Sequence, residues 1–346
     1  MIKAASLFSN VGVADTYLKE NGISVVVANE LLKDRAKFFR HLYPDCNMIT
    51  GDITNPEIYN KVLSAAKEEN IDFVLATPPC QGMSVAGKMQ KDDPRNTLII
   101  KAVEFIKETD PTTAIIENVP TMLKTSILID DEPILIKDYI KQELGDKYKI
   151  SFNILNAADY GTPQVRKRVI VLLSKNDEWK LPKKQSHITV RTAIGDLPSL
   201  EAGEKSDIKY HTAPKHNERH ILWMSHTPTG QTAFNNPVYF PKKENGERIK
   251  GFATTYKRIE WDKPAPTVTM CNGAISSQNN VHPGRLKEDG TYSDARVLTI
   301  LELLRIMGLP DDWNIPEWAS ESLVRKTLGE GIPPRLIEAL IKTMPK

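Results

Sequence analysis

An α/β fold with a doubly wound, mostly parallel sheet and a smaller, loop-rich second domain follows from three observations. Short apolar runs alternate with amphipathic stretches up to about residue 175, polar residues recur where those runs end, and a Pro-, Gly-, Asn- and Thr-rich stretch comes next. Strands alternating with helices imply a parallel sheet covered on both faces. Ligands of such sheets gather beyond the carboxyl ends of the strands.

The elements read in order as follows. Lys3–Phe8 is a strand, followed by a turn at Asn10–Gly12 and a helix over Val13–Asn21. Ile23–Ala28 is a β-branched strand ending in Asn29-Glu30, and Leu31–Leu42 is helical. Asn47–Ile49 leads into Gly51-Asp52, and Pro56–Glu69 is a helix. Phe73–Ala76 is a strand running into Pro78-Pro79-Cys80, with a helix at Thr97–Thr109. Thr113–Ile116 is a strand ending in Glu117-Asn118, Asp138–Leu144 a helix, and Ser151–Leu155 and Val169–Leu173 a closing pair of strands. Asn10, Glu30, Asp52, Cys80 and Glu117 thus all fall at strand ends. No helical period is legible between Lys183 and Asp294, apart from short strand-like pieces such as Thr267–Met270; helical signals return at Leu298–Met307 and Pro334–Thr343. The large domain is assigned to residues 1–180 and 326–346, and the second to 181–325.

Composition bounds the function. The net charge of +2 predicts no polyanion partner by itself, so a nucleic-acid binder would have to concentrate its positive charge locally. No signal peptide and no apolar stretch long enough to span a bilayer is legible. Cys46, Cys80 and Cys271 are widely spaced, which argues against a metal site or a disulfide framework and fits reduced thiols in a cytoplasm.

Ala76-Thr-Pro-Pro-Cys80-Gln-Gly-Met-Ser84 carries the sharpest signal. Two prolines stiffen the chain as it leaves a strand and hold a thiol outward, although a cysteine beside a strand is commonly a small buried hydrophobe. Glu117 ends an apolar strand, where partial burial would keep a carboxyl protonated and able to donate to a base; a cap or salt bridge is the alternative. Alternate residues of Gln164-Val-Arg166-Lys-Arg168 share one face if the segment is extended, and a solvated charge run is the plain alternative.

Together with Phe8-Ser-Asn-Val-Gly12, Asn29-Glu30, Gly51-Asp52-Ile53, Glu117-Asn-Val119 and Gly329-Glu330-Gly-Ile-Pro-Pro334, these segments resemble the ordered motifs of the cytosine-C5 DNA methyltransferases. Arg296-Val-Leu-Thr299, with Glu302, Arg305, Gly308 and Pro310, resembles the motif before the last. The likeness spans nearly the whole chain in the family's order. It implies a Rossmann-like fold dependent on S-adenosylmethionine, with Cys80 as the nucleophile that adds to C6 of an extruded cytosine. Glu117 would bond N3 and the exocyclic amine, Arg168 would bond O2, and Arg166 would hold the Cys80 loop or a phosphate.

The same resemblance places Phe8 on the cofactor's adenine, Gly12 near its methionine part, Glu30 on the ribose hydroxyls and Asp52 with Ile53 at the adenine, with Pro79 and Leu98 lining the pocket. Two positions depart from the family's pattern: Asn10 stands where a glycine is usual, and Glu330 where an asparagine is usual. Asn tolerates positive φ, so the turn can survive. Local repair is one account of Glu330; altered handling of the cofactor's amino-acid end is the other.

Residues 181–325 correspond by resemblance to the domain that reads DNA sequence. Its loops hold Lys183, Lys184, Arg191, Lys242, Lys243, Arg248, Lys250, Lys257, Arg258 and Lys263 among acids such as Glu244 and Glu247. Thr254, Tyr256, Arg258 and Asn272 are candidates for base contacts, joined by Gln81, Ser84 and Gln164 from the other motifs. The resemblance further implies double-stranded DNA as partner, a cognate restriction endonuclease sharing the site without binding the chain, a monomer, no membrane, no metal, and a cytoplasmic, nucleoid-associated place in a prokaryote or phage-infected cell. A tRNA-acting relative, a DNA-binding pseudoenzyme and a variant-cofactor enzyme are the competing readings.

Overall fold

The computed structural model describes residues 1–79 and 98–345, so Cys80, Gln81 and Ser84 lie outside the described residues. The chain forms two compact units. Unit 1 is Met1–Asn156, Lys167–Lys184 and Pro334–Lys346, and unit 2 is Ala157–Arg166 and Gln185–Pro333. Residues 157–166 and 326–333 therefore group with unit 2, and residues 181–184 with unit 1, which differs from the boundaries expected from the sequence.

Unit 1 is built on a seven-stranded sheet: β1 (Ile2–Leu7), β2 (Ile23–Glu30), β3 (Asn47–Thr50), β4 (Phe73–Ala76), β5 (Thr113–Asn118), β8 (Lys149–Asn156) and β9 (Lys167–Ser174), in the order β3-β2-β1-β4-β5-β9-β8. The first five strands pair in parallel, and β9 runs antiparallel between β5 and β8. Every residue of β4 and β5 is buried, as expected of parallel strands covered on both faces. Consecutive side chains of β2 confirm that covering. Val27 joins the cluster with residues of α2 (Pro56–Glu69), α3 (Leu98–Thr109) and α4 (Ile136–Leu144), whereas Ala28 packs with Ala36 and Phe39 of α1 (Lys33–Leu42).

Local sequence explains the boundaries. The Asn55 side chain accepts from the Glu57 N–H, Pro56 follows at the first helical position, and left-handed Asn70 closes α2. The helix expected over Val13–Asn21 is a correction: the segment is a chain of turns that ends in a short 3-10 helix at Lys19–Asn21. Left-handed Asn10 and Gly12 lead into these turns, and left-handed Gly22 closes them. The β6–β7 hairpin (Ser126–Ile129 and Glu132–Leu135) was not anticipated; Asp130 and Asp131 make its turn, both at positive φ.

Unit 2 is loop-rich but not free of helices. α5 (Val190–Ile194) and α6 (Glu218–Ser225) correct the expectation of no helix between Lys183 and Asp294; Thr189 and Asn217 cap them. α7 (Ile300–Met307) opens with a complete capping box of Thr299 and Glu302 and closes on left-handed Gly308. α8 (Glu321–Glu330) was also missed, and starts at a Ser320 cap. The last helix, α9 (Pro334–Ile341), belongs to unit 1, where the Trp179 indole N–H donates to the Leu340 carbonyl at 3.1 Å.

The polar core of unit 2 is ionic. Arg296 is wholly buried and spans Asp294 (2.7 Å) and Glu302 (2.8 Å). His282 Nδ1 accepts from the Gly284 N–H at 3.0 Å, which leaves the proton on Nε2, 3.7 Å from Glu302. Burial pushes the His282 imidazole down to about 3, so it is neutral. Arg258, also fully buried, donates to the carbonyls of Met224, His282, Ser293 and Asp294.

Candidate active site

The strand order reverses between β1 and β4: the chain goes from β1 outward through β2 and β3, then returns beside β1 with β4 and β5. Ligand crevices of open α/β sheets open at such a point, beyond the strand ends. The chain leaving β1 turns at once, with Phe8, Asn10 and Gly12 at φ 58°, 52° and 83°. Asn10 thus adopts the left-handed conformation that a glycine would take there. Its backbone N–H donates to Glu30 Oε2 at 2.9 Å, and Glu30 Oε1 accepts from the Leu32 N–H at 2.9 Å. One buried carboxylate therefore joins the turn after β1 to the turn after β2.

Support comes from below the turn. The Tyr43 hydroxyl donates to the Gly12 carbonyl at 2.6 Å. A Cβ on Gly12 would lie 2.2 Å from the Tyr43 ring. Sequence reasoning missed Tyr43, since nothing in the local pattern ties residue 43 to residue 12. Asp15 was missed too: it is buried, accepts from the Ser6 hydroxyl at 3.2 Å, and burial pushes its carboxyl up to about 7. Gly12→Ala should combine positive-φ strain with a clash against a ring that is itself packed, a cost of about 1–3 kcal/mol. Thermal unfolding should show the loss; an unchanged melting temperature would mean that the Tyr43 ring yields freely.

At the end of β3, exposed Asp52 accepts from the N–H and hydroxyl of Thr54, and Ile53 beside it is buried. Thr77 donates to the Phe8 carbonyl at 3.1 Å, and the Asn118 amide donates to the Pro78 carbonyl at 3.2 Å. The chain is thereby pinned between the β1 and β5 ends as it approaches half-buried Pro79. Leu98 opens α3 and packs partly on the core. Phe8, Asn10, Gly12, Glu30, Asp52, Ile53 and Pro79 all lie at the carboxyl ends of β1 to β4.

Glu117 and Arg168 meet on neighbouring strands β5 and β9, with Arg168 Nε 2.9 Å from Glu117 Oε1 and both side chains largely shielded. Arg168 also donates to the Lys167 carbonyl. A carboxyl beside a guanidinium suits an edge that offers acceptor, donor and acceptor in a row. Cys46 offers no rival thiol, because burial and the neighbouring Asp15 push it up to about 12.

In unit 2, buried Arg166 donates to the carbonyls of Val268 (2.9 Å), Gly329 and Glu330 (both 3.2 Å), bracing the segment at 268 against the end of α8. Gly329 lies flush there, since a Cβ would come within 2.2 Å of the Thr269 carbonyl oxygen. Gln164 is buried between Met307 and the Val268 N–H. Arg258 and Asn272 are likewise engaged inside the unit, Asn272 with Thr269 and Arg325, so both brace loops in this structure instead of facing outward. Tyr256 is mostly buried at φ 47°, and Thr254 is half-exposed. Several of the expected phosphate contacts are in surface ion pairs: Arg191 with Asp262, Lys243 with Glu247 and Lys263 with Glu260. Among the described residues there is no metal-binding cluster and no helix long and apolar enough to cross a membrane.

Comparison with known proteins agrees with this architecture. The chain is 50% identical over 99% of its length, and 97% of the relative's, to the Type II methyltransferase M1.HgaI of Avibacterium volantium. It shares its fold with a candidate DNA modification methyltransferase from an E. coli prophage (TM-score 0.68, 19% identity, 99% of this chain and 98% of that one). Spodoptera frugiperda DNMT2 has the same fold (TM-score 0.65, 18% identity, 99% of each chain). Residues 2–346 match the family described as C-5 cytosine-specific DNA methylase. The chain belongs to that family, and its reaction is the methylation of cytosine at C5 in DNA.

Proposed function

We propose that the chain takes its methyl group from S-adenosylmethionine and transfers it to a cytosine extruded from a specific duplex sequence, with Cys80 as the nucleophile. The observation that carries this reading is the Glu117–Arg168 pair at the end of β5. Cytosine's outer edge presents N3 as an acceptor, the exocyclic amine as a donor and O2 as an acceptor. With the base bound, Glu117 shares a proton with N3 and accepts from the amine, while Arg168 donates to O2 and draws charge from the ring. That withdrawal prepares C6 for thiolate addition by Cys80, which makes C5 nucleophilic. After transfer, loss of the C5 proton and elimination of Cys80 restore the enzyme. C6 is unreachable inside a duplex, so the base must leave the stack.

The donor set fits the cofactor. Glu30 brings the carboxylate chemistry that pairs with a diol, half-exposed Phe8 offers a ring face, and Asp52 with Ile53 pairs a polar group with an apolar surface. When bound, S-adenosylmethionine supplies a methyl group activated by a sulfonium. Asn10 and Gly12 shape the turn, Pro79 and Leu98 line the pocket, and Glu330 remains the position that departs from the family's asparagine. Arg166 is a positioning residue that fixes segment 268 against α8. Unit 2 supplies sequence recognition. The relationship to a Type II methyltransferase supports a restriction–modification role, with an endonuclease that shares the site without binding this chain.

Expression in a methylation-free host, followed by conversion sequencing of its DNA, tests the reading: one sequence context should carry 5-methylcytosine. Random or absent methylation would overturn it. Glu117→Gln should lower kcat about a hundredfold, the scale of one preorganised hydrogen bond, with little change in KM for DNA. An unchanged kcat would remove Glu117 from the mechanism.

A further inference from the structure

The chain contains three Asn-Gly pairs: Asn21-Gly22, Asn245-Gly246 and Asn272-Gly273. Such a pair can modify itself, because glycine has no side chain to hinder attack of its backbone nitrogen on the preceding side-chain amide. The new N–C bond closes a five-membered imide, the Cγ–Nδ2 bond breaks, and the proton given up by the attacking nitrogen leaves with the amide as ammonia. Water then opens the ring at either carbonyl, which yields aspartate or isoaspartate. Local sequence does not separate the first two pairs, since each reads Glu-Asn-Gly. Their surroundings do.

Asn272 is 2% exposed, and its amide donates to the carbonyls of Thr269 (2.7 Å) and Arg325 (2.9 Å), so the leaving nitrogen is held. Asn21 is half-buried and donates to the Tyr17 carbonyl at 2.7 Å. The Gly22 N–H donates to the Lys19 carbonyl and the Gly22 carbonyl accepts from the Ile2 N–H, so rotating this pair would loosen the start of β1 beside β2. Asn245 differs. With Glu244 and Gly246 it forms the exposed tip of a narrow hairpin, where Lys242 pairs with Arg248 and the Lys243 N–H donates to the Glu247 carbonyl at 2.8 Å. Its side-chain oxygen accepts from the Glu247 N–H at 3.1 Å, and among the described residues its amide nitrogen has no partner. The Gly246 N–H donates to the Lys243 carbonyl at 3.1 Å, a bond within a turn that is exposed throughout. The hairpin is also basic. From Pro241 to Lys250, four basic residues (242, 243, 248 and 250) stand against two acidic ones (244 and 247), so a third carboxylate would lower the net charge from +2 to +1.

We propose that Asn245 is a self-modification site, which deamidates through Gly246 and thereby weakens the hold of unit 2 on DNA as the protein ages. The effect on DNA rests on unit 2 being the DNA-reading unit; the reaction itself does not. The full chain is incubated at mildly alkaline pH, folded or in denaturing urea, and tryptic peptides are followed for the mass gained when an amide becomes a carboxyl. Folded, Asn245 should react well ahead of Asn21 and Asn272; in urea, Asn21 and Asn245 should react at similar rates. Asn21 keeping pace with Asn245 in the folded chain, or an unreactive Asn245, overturns the site. Binding to a duplex carrying the site mapped by conversion sequencing reads the consequence. Asn245→Asp should bind about two- to threefold more weakly at low salt, the size of one unit charge about 8 Å from a phosphate in water, and the difference should fade as salt rises. Asn245→Gln should bind like the unreacted wild type and keep its affinity through the incubation. Equal affinity of Asn245→Asp and wild type at low salt overturns the link to DNA. Failure of the underlying reading looks different: the unreacted wild type would then show no preference for a duplex with the site over one without it.

Discussion

Cys80→Ser is expected to lower methyl transfer by more than about a thousandfold, the range typical of removing an activated nucleophile, while DNA and cofactor binding persist. In the proposed mechanism the sulfur serves only to make C5 of the base reactive, and neither binding event uses it. A hydroxyl at the same position is a far weaker nucleophile near neutral pH. Duplex DNA with 5-fluorocytosine at the target separates chemistry from binding. Fluorine cannot depart as the C5 proton does, so the wild type should stall as a covalent adduct that survives denaturing electrophoresis. The serine variant should give none. Adduct formation by Cys80→Ser at the wild-type rate would assign the bond to another residue; Cys46, buried and with its thiol pushed up to about 12, is a poor candidate.

The parts of the fold that were legible in the sequence share a physical cause. β4, α2 and the β5 core were readable because unbroken apolar runs, an Asn-Pro cap and a closing Asn act locally. Placing Asn10, Glu30, Asp52 and Glu117 at strand ends needed only the alternation of strands and helices. What failed depended on distant partners. Val13–Leu18 has the apolar content of a helix, yet the left-handed residues before it and the contacts of Asp15 with Ser6 keep it in turns. Arg258 looked like a free basic residue on a loop, because four carbonyls from distant segments cannot be seen locally. The support of Gly12 by Tyr43 and the bracing of segment 268 by Arg166 are equally invisible in one dimension. Pattern shows where a chain turns and what it buries, whereas the duties of a buried polar group emerge only from its neighbours.

Arg296→Met should destabilise the chain by about 3–5 kcal/mol at neutral pH, the cost of stranding buried charge. The guanidinium bridges Asp294 and Glu302 with no exposure to water, and Glu302 also completes the α7 capping box by accepting from the Thr299 N–H at 2.7 Å. Burial works against ionisation of Glu302, but Arg296 and His282 outweigh it and hold the carboxyl at about 2; Asp294 is held low in the same manner. These carboxyls and His282 all have folded-state values below their unfolded ones. The unfolded chain therefore binds more protons in acid, and wild-type stability falls as pH drops, first below about 6.5 through His282 and then below about 4.5 through the carboxyls. The variant should behave differently. Without Arg296 the two carboxyls can relieve their burial by taking up protons, so the stability gap between variant and wild type should be widest near pH 7.5 and narrow markedly by pH 5. Adding Asp294→Asn and Glu302→Gln should recover part of the loss at pH 7.5, since the three groups act as one unit. Urea unfolding of the single and triple variants at both pH values measures this. A gap that stays constant with pH would mean that Arg296 contributes packing and hydrogen bonds, with its charge playing no part in holding unit 2 together.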